Sequence, residues 1–200
     1  MAPTAHRRVR NVVSVFVAGV LAFGLAACTG GDDTSSETKK KEDPYKNKPL
    51  PVSFDTPKGF SKSGNSQVQN PLTDNYEAQF LDYDASETAE RIFVVSYVLD
   101  VDTSDMNDQE LMAQVGEFDQ TIGNEQKSQP YIALANGRKG IHKYVNEPLP
   151  QGEEGEVRRY DAEYFFDGNH LIQVGCEREK DQYISAVYKG CQGVLENLEF

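Results

Sequence analysis

A cysteine at the end of an apolar run is the residue whose type and position best define a chemistry. The segment Leu25–Cys28 spells Leu-Ala-Ala-Cys, the pattern of a lipobox, in which the thiol accepts a diacylglyceryl group and small residues fit the peptidase cleft. Arg7 and Arg8 precede an apolar h-region, as in an export signal. We therefore predict that residues 1–27 are a lipoprotein signal peptide and that Cys28 is lipidated.

Two alternatives to this signal remain open. A transmembrane anchor would need about 20 apolar residues, and the run from Asn11 to Ala27 is shorter. The Arg7-Arg8 pair also fits twin-arginine export, but Val9 and Arg10 are poor followers for that motif, which favours general secretion. Two acyl chains on one cysteine would anchor the protein stably. We expect a lipid-anchored protein on the extracytoplasmic face of the cell membrane.

Cys176 and Cys191 form an even pair in a chain addressed to an oxidising compartment. A bond between them would close a loop of about 15 residues and stabilise the fold by about 3 kcal/mol in the chain-entropy model. A metal site or a reactive thiol would need partners, and neither His142 nor His170 lies at ligand spacing from a cysteine. The spacing predicts a disulfide.

One cluster of carboxylates could hold a hard cation. Asp100, Asp102 and Asp105 alternate with short residues before a predicted helix. The calcium-loop pattern fails, because Asp105 stands where the glycine belongs and Leu111 stands where the bidentate glutamate is required. These aspartates remain weak metal candidates, and a solvated loop favoured by the helix dipole is the simpler interpretation.

No catalytic constellation stands out in the sequence. No serine lies in a Gly-x-Ser-x-Gly elbow that His142 or His170 could serve. The glycines lie in separate turns rather than in a loop that would hold phosphate. We predict no catalytic residue and no cofactor, and we place the two histidines on polar faces.

The chain has a formal net charge of -12, and loss of a leader with three arginines would make it more acidic. This balance argues against nucleic acid, which requires a cationic surface. Residues 28–48 contain almost no large apolar side chain, so they predict a flexible tether that reaches about 25 Å. Residues 49–200 have the size of a single domain.

Alternating and continuous apolar patterns predict the strands. We predict a short first strand at Val52–Phe54, a half-buried strand at Tyr76–Phe80 and a central strand at Ile92–Leu99 that is covered on both faces. Turns at Asn136-Gly137 and Asp167-Gly168 predict two hairpins. The segment Glu147–Glu156, rich in Pro, Gly and Glu, is predicted to be a mobile loop.

Two segments have helical periodicity. Asn107 and Glu110 form a capping signal before an apolar pattern that ends near Ile122. A second apolar stripe runs from Ile184 to Leu198 and contains Cys191, so the disulfide would attach this helix to the last hairpin. Strands in hairpins, with helices to cover them, predict an α+β fold with an antiparallel sheet.

This succession of elements resembles the PsbP-like family, in particular the LpqN-type lipoproteins of actinobacteria. The residues that carry the resemblance are the opening Phe54–Phe60, the strand near Phe93, the long helix, the hairpins and the terminal helix around Cys191. Membership would imply an αβα sandwich and a non-catalytic binding or accessory role. The resemblance assigns no functional residue, because the partners of the relatives use surfaces without a matching motif here.

The sequence therefore favours a membrane-anchored accessory domain that binds an envelope protein partner. The first alternative is a carrier of small apolar or lipid ligands, which would need a large pocket lined by tyrosines on an uncovered sheet face. Five tyrosines are candidates for that lining: Tyr76, Tyr97, Tyr144, Tyr160 and Tyr164. The second alternative is a hydrolase, which would need a buried histidine beside a serine or an acid.

Overall fold

A computed structural model describes residues 44–64, 66–85, 90–124, 128–149, 156–178 and 185–200. These residues belong to the compact unit Glu42–Phe200. The predicted signal peptide, the lipidation site Cys28 and most of the predicted tether lie outside them. No helix in the described ranges combines the length and apolar character that crossing a membrane requires.

In the part of the domain that the structure describes, a single antiparallel sheet carries two helices. Seven strands lie in the order β1-β2-β3-β7-β6-β5-β4. The strands are β1 Phe60–Lys62, β2 Tyr76–Tyr83, β3 Arg91–Val98, β4 Tyr131–Ala135, β5 Arg138–Pro148, β6 Val157–Asp167 and β7 His170–Glu177, and the helices are α1 Asp108–Ile122 and α2 Ser185–Glu196. The predicted α+β fold is confirmed.

The predicted central strand lies between β2 and β7 and is covered on both faces. Because successive side chains point to opposite faces, Phe93 and Val95 pack in the core beneath α1. Ile92 and Val94 pack in a second core beneath α2. The molecule therefore has three layers, with one helix on each face of the sheet.

Helix α1 begins and ends at the predicted signals. The Asn107 side chain accepts hydrogen bonds from the backbone N–H groups of Gln109 and Glu110, and the Glu110 side chain accepts one from the Asn107 N–H. Gly123 follows the helix in the left-handed conformation, in which many helices end. The buried residues of α1 are Val115, Phe118 and Ile122, whose spacing follows the helical period.

Helix α2 is joined to the sheet by the predicted disulfide. Cys176 near the end of β7 is bonded to Cys191, with Cα atoms 6.0 Å apart. The buried stripe of α2 consists of Val187, Gly190, Cys191, Val194 and Leu195. The bond therefore lies inside the second core and fixes the face that α2 presents to the sheet.

Both predicted hairpins form. In the first turn Asn136 and Gly137 have φ of 49° and 74°, as a type I′ turn requires. The second turn joins β6 to β7, with Gly168 at φ 59°. Local turn chemistry was therefore sufficient to identify both connections.

Two predicted segments differ from the structure. Val52–Phe54 is not a strand, and within it only Ser53 forms an isolated bridge, to Glu199. The strand begins at Phe60, after Pro57 and Gly59, because it pairs with the end of β2. Glu147 belongs to β5 and is 3% exposed, while residues 150–155 of the predicted loop lie outside the described residues.

The chain before β1 is bound to the domain from residue 45 onward. His170 Nε2 lies 2.8 Å from the Tyr45 carbonyl oxygen and 3.1 Å from that of Lys48. Asn169 donates to the carbonyl of Lys46 at 2.8 Å. Composition predicts residues 45–48 to be part of the tether, whereas side chains from β7 and from the β6–β7 turn bind them.

Candidate interaction surface

The aspartates considered as metal ligands lie in a loop in which Asp102 is hydrogen-bonded by a residue of the same loop. Asp102 accepts hydrogen bonds from the Ser104 N–H at 2.9 Å and from the Ser104 hydroxyl at 2.6 Å. These bonds lower the pKa of Asp102. Within the described residues no group of three His, Cys, Asp or Glu side chains is arranged to hold a metal, and Asp100 and Asp105 are not brought into one with Asp102.

The two histidines have structural partners within the described part of the chain. The buried ring of His170 bonds the carbonyls of Tyr45 and Lys48, as described above. His142 Nδ1 lies 2.6 Å from Glu163 Oε1, and its Nε2 lies 4.0 Å from Asp161 Oδ2. No described serine hydroxyl hydrogen-bonds to either ring, so these contacts do not assemble a nucleophile with its base.

The predicted tyrosine lining of an uncovered face is wrong. Tyr97, Tyr160 and Tyr164 are buried in the core beneath α1, with Tyr76 packed at its margin, and Tyr144 projects from the opposite face. The cavity beside Tyr97 and Tyr160 has a volume of about 10 Å³, enough for about one water molecule. Burial raises the pKa of Tyr97, Tyr160 and Tyr164 above the usual value.

A buried ion network crosses β5, β6 and β7 beside that cavity. Arg158 Nε donates to Glu177 at 2.5 Å, Arg158 Nη1 lies 3.9 Å from Glu147, and the guanidinium lies 4.5 Å from the centre of the Phe93 ring. Asn70 donates to Glu147 at 2.7 Å. Burial raises the pKa of Glu177, although the Arg158 charge acts in the opposite direction. The charged groups face one another inside the domain, so the network does not form an open site.

An open groove of about 1050 Å³ lies between α1 and the β4–β5 hairpin. Its helix wall is low because Ala113 and Gly116 are small, and a Cβ placed on Gly116 would meet no atom within 4 Å. Its other wall is the segment Ser128–Pro130 that leads into β4. A smaller groove of about 620 Å³ lies beside α2 and is lined in part by Lys58 and Lys189.

A buried ion pair forms part of the floor of the larger groove. The Lys143 ammonium group donates to Asp119 Oδ2, and the Lys143 side chain is 4% exposed. Asp119 Oδ1 accepts a second bond from the Asn124 side chain at 2.8 Å. The pair joins β5 to α1 and places paired charges beside polar residues such as Gln129 and apolar residues such as Met112. Such mixed lining suits a polypeptide segment, which offers both backbone polar groups and side chains.

The β4 edge, residues 131–135, adjoins this groove. Among the described strands β4 pairs with β5 alone, so its other side has no strand partner. Tyr131, Ile132 and Leu134 are 46%, 36% and 76% exposed. The strand contains no charged residue and no proline, although natural edge strands usually carry such features to prevent pairing with other chains.

The sheet face opposite the groove carries a polar and aromatic cluster behind the β4 edge. The ring of His142 lies 4.8 Å from that of Tyr131 and 5.0 Å from that of Tyr144. Partial burial, with Tyr144 and the carboxylates of Glu163 and Asp161 next in effect, raises the pKa of Tyr131 to about 12. Tyr131 therefore contacts this cluster on one side while it remains partly exposed.

Sequence reasoning did not identify Gly116, Asp119 or Lys143 as site residues. Gly116 interrupts a helical pattern, and a glycine there costs stability relative to alanine, which was the available signal. The pairing of Lys143 with Asp119 had no signal, because the two residues lie 24 positions apart on different elements. The open edge at β4 also required knowledge of the strand order.

Comparisons with known proteins add a likeness to solved structures. No protein-family model and no curated protein matches the chain. A crystal structure of a protein from Bacteroides thetaiotaomicron VPI-5482 matches with a TM-score of 0.44 and 11% sequence identity, covering 74% of this chain. The match spans 44% of the length of that protein's chain.

Proposed function

We propose that the protein is a lipid-anchored, extracytoplasmic binding or accessory domain of the PsbP-like kind, without catalytic activity, that recognises an envelope protein partner. The lipobox at Leu25–Cys28 supports the anchor, and the polar, tether-like segment after it, together with the acidic chain as a whole, supports a domain held away from the bilayer. The order of strands and helices supports the PsbP-like architecture.

The groove between α1 and the β4–β5 hairpin carries the binding role. It is open, it is about 1050 Å³ in volume, and it combines Met112, Ala113 and Pro130 with the Lys143–Asp119 pair. A partner segment could place backbone groups against the amides and small side chains against the helix wall. We therefore assign the groove as the surface for the envelope protein.

No specific observation in the described residues favours the carrier or the hydrolase alternative. A carrier would need a large internal pocket lined by tyrosines, and the cavity beside Tyr97 and Tyr160 holds about 10 Å³. A hydrolase would need a nucleophile at a histidine, and the hydrogen bonds of His142 and His170 lead to Glu163 and to backbone carbonyls.

A matched pair of glycine substitutions tests the groove. Gly116→Phe would fill the groove, whereas Gly193→Phe adds the same side chain on α2, away from it, and neither glycine has an atom within 4 Å of a built Cβ. Cross-linking in intact envelopes is expected to recover one protein with wild type and Gly193→Phe, and at least tenfold less of it with Gly116→Phe. Equal recovery with both variants would reject the groove.

The anchor is tested separately. Mass spectrometry of the membrane-extracted protein is expected to show a product that begins at Cys28 and carries a diacylglyceryl group. Cys28→Ser should leave residues 1–27 attached and release no fatty acid. A wild-type product that retains its leader and bears no lipid would remove the anchor from the proposal.

A further inference from the structure

We propose that the β4 edge pairs with the β4 edge of a second copy of this chain, so that two seven-stranded sheets join into one continuous antiparallel sheet. The proposal rests on the backbone geometry of the edge, on its uncharged composition and on its self-complementary side chains. It concerns a different surface from the groove.

The register of the β4–β5 hairpin determines which backbone groups face outward. Ala135 pairs with Arg138 across the two-residue turn, and a pair that closes such a turn exchanges hydrogen bonds. Because bonded and non-bonded pairs alternate, Ala133 also bonds inward, to Gly140. The N–H and C=O groups of Ile132 and Leu134 therefore point away from the sheet.

These outward groups are self-complementary about Ala133. If two β4 strands run antiparallel with Ala133 on the two-fold axis, Ile132 of one copy lies opposite Leu134 of the other. The two residues then exchange both backbone hydrogen bonds, and the symmetry repeats the exchange, so all four outward groups of each strand are satisfied. No register shift is needed.

The side chains fit the same arrangement. Ile132 and Leu134 share the face on the α1 side, so each apolar side chain, 36% and 76% exposed in one copy, would cover the other. On the opposite face Ala133 has Gly140 as its neighbour, so small residues meet at the axis. No charge of β4 opposes a like charge, which matters in a chain of net charge -12.

The two-fold pairing predicts a specific cross-link. Ala133 and its copy would form a non-bonded pair with Cα atoms about 4.5 Å apart, within the range that a disulfide spans. Ala135 and its copy would lie about 14 Å apart, since four residues separate them along the strand. Both positions replace an alanine on the same face of the same strand, so they are matched.

The experiment uses the full chain in mild detergent, with Cys28→Ser in every sample to remove the other unpaired thiol. Under gentle oxidation Ala133→Cys is expected to give a covalent dimer at least tenfold faster than Ala135→Cys. The double substitution Ile132→Lys with Leu134→Lys, which places lysines opposite lysines, is expected to raise the dimer dissociation constant at least tenfold in sedimentation equilibrium.

Equal rates at the two cysteine positions, or no covalent dimer at either, would overturn the pairing. A monomeric chain whose β4 is instead occupied by an unrelated protein would also overturn it, while leaving the groove proposal intact. Loss of partner recovery with Gly116→Phe but unchanged cross-linking at Ala133→Cys would support the two surfaces as independent.

Discussion

The two ends of the sheet differ in how their edges are protected. At one end β1 has three residues, ends in Lys62 and packs Phe60 against α2, where a Cβ on Gly190 would lie 2.5 Å from the Phe60 ring. At the other end β4 has five residues, no charge and Leu134 exposed at 76%. Short charged edges resist pairing with another chain and exposed apolar edges favour it, so the β1 edge is protected and the β4 edge is not.

The largest effect is expected from removing the disulfide that holds α2 on the β1 half of the sheet. Replacing both Cys176 and Cys191 by serine should lower the free energy of unfolding by about 3 kcal/mol, because the unfolded chain regains loop entropy. Denaturant titration measures this loss. A loss below about 1 kcal/mol would mean that packing alone holds α2 on the sheet. The disulfide would then not distinguish the β1 end of the sheet from the β4 end.

A pair of glycines on α2 sharpens the contrast within one helix. Gly190→Ala should destabilise the protein by about 1–3 kcal/mol, because the new methyl group overlaps Phe60. Gly193→Ala meets no atom within 4 Å and should stabilise the helix by about 0.5–1 kcal/mol. Thermal melts of the two variants should therefore move in opposite directions. Melting temperatures that shift in the same direction would show that the site of Gly190 has room for a methyl group beside Phe60.

The stability of the protein should depend on pH through Glu177 in the buried network around Arg158, which lies between the two ends of the sheet. Burial raises the pKa of Glu177 above 4.5, so between 4.5 and the raised value the folded state binds more protons than the unfolded state. Stability contributed by this group falls as pH rises through that window. The stability of Glu177→Gln relative to wild type should accordingly increase as pH rises from 4.5 towards neutrality.

Denaturant titrations of both proteins across that pH range measure this difference. A relative stability that stays constant with pH would show that the Arg158 charge offsets the burial of Glu177 completely.

The smallest effect is expected at the open edge. Leu134→Ser removes an apolar side chain that is 76% exposed, so the stability of one copy should change by less than about 0.5 kcal/mol. Val95→Ala at the centre of the sheet is the control and should cost about 1–3 kcal/mol, because Val95 is fully buried. A large loss from Leu134→Ser at a concentration that keeps the protein monomeric would contradict an open edge.

Local signals predicted most of the elements. The Asn107–Glu110 capping box, the Asn136-Gly137 turn and the stripe around Cys191 each act over a few residues, so they can be recognised in the chain alone. The prediction of the first strand at Val52–Phe54 was wrong, because the position of β1 depends on its pairing with β2. The prediction that Glu147 lies in a loop was wrong for a similar reason, since its partners Arg158 and Asn70 come from other parts of the chain.

The sequence by itself determined the two helices, the hairpins and the capacity for one disulfide, because each depends on neighbouring residues or on composition, and the export and lipidation signal stays a prediction made on the same local basis. Tertiary structure alone decided that β4 lies at the edge, that Lys143 meets Asp119 beneath a groove and that the tyrosines fill the core. These features depend on strand order and on which faces the helices cover. Both are set by contacts between distant residues, and a local pattern carries no information about such contacts.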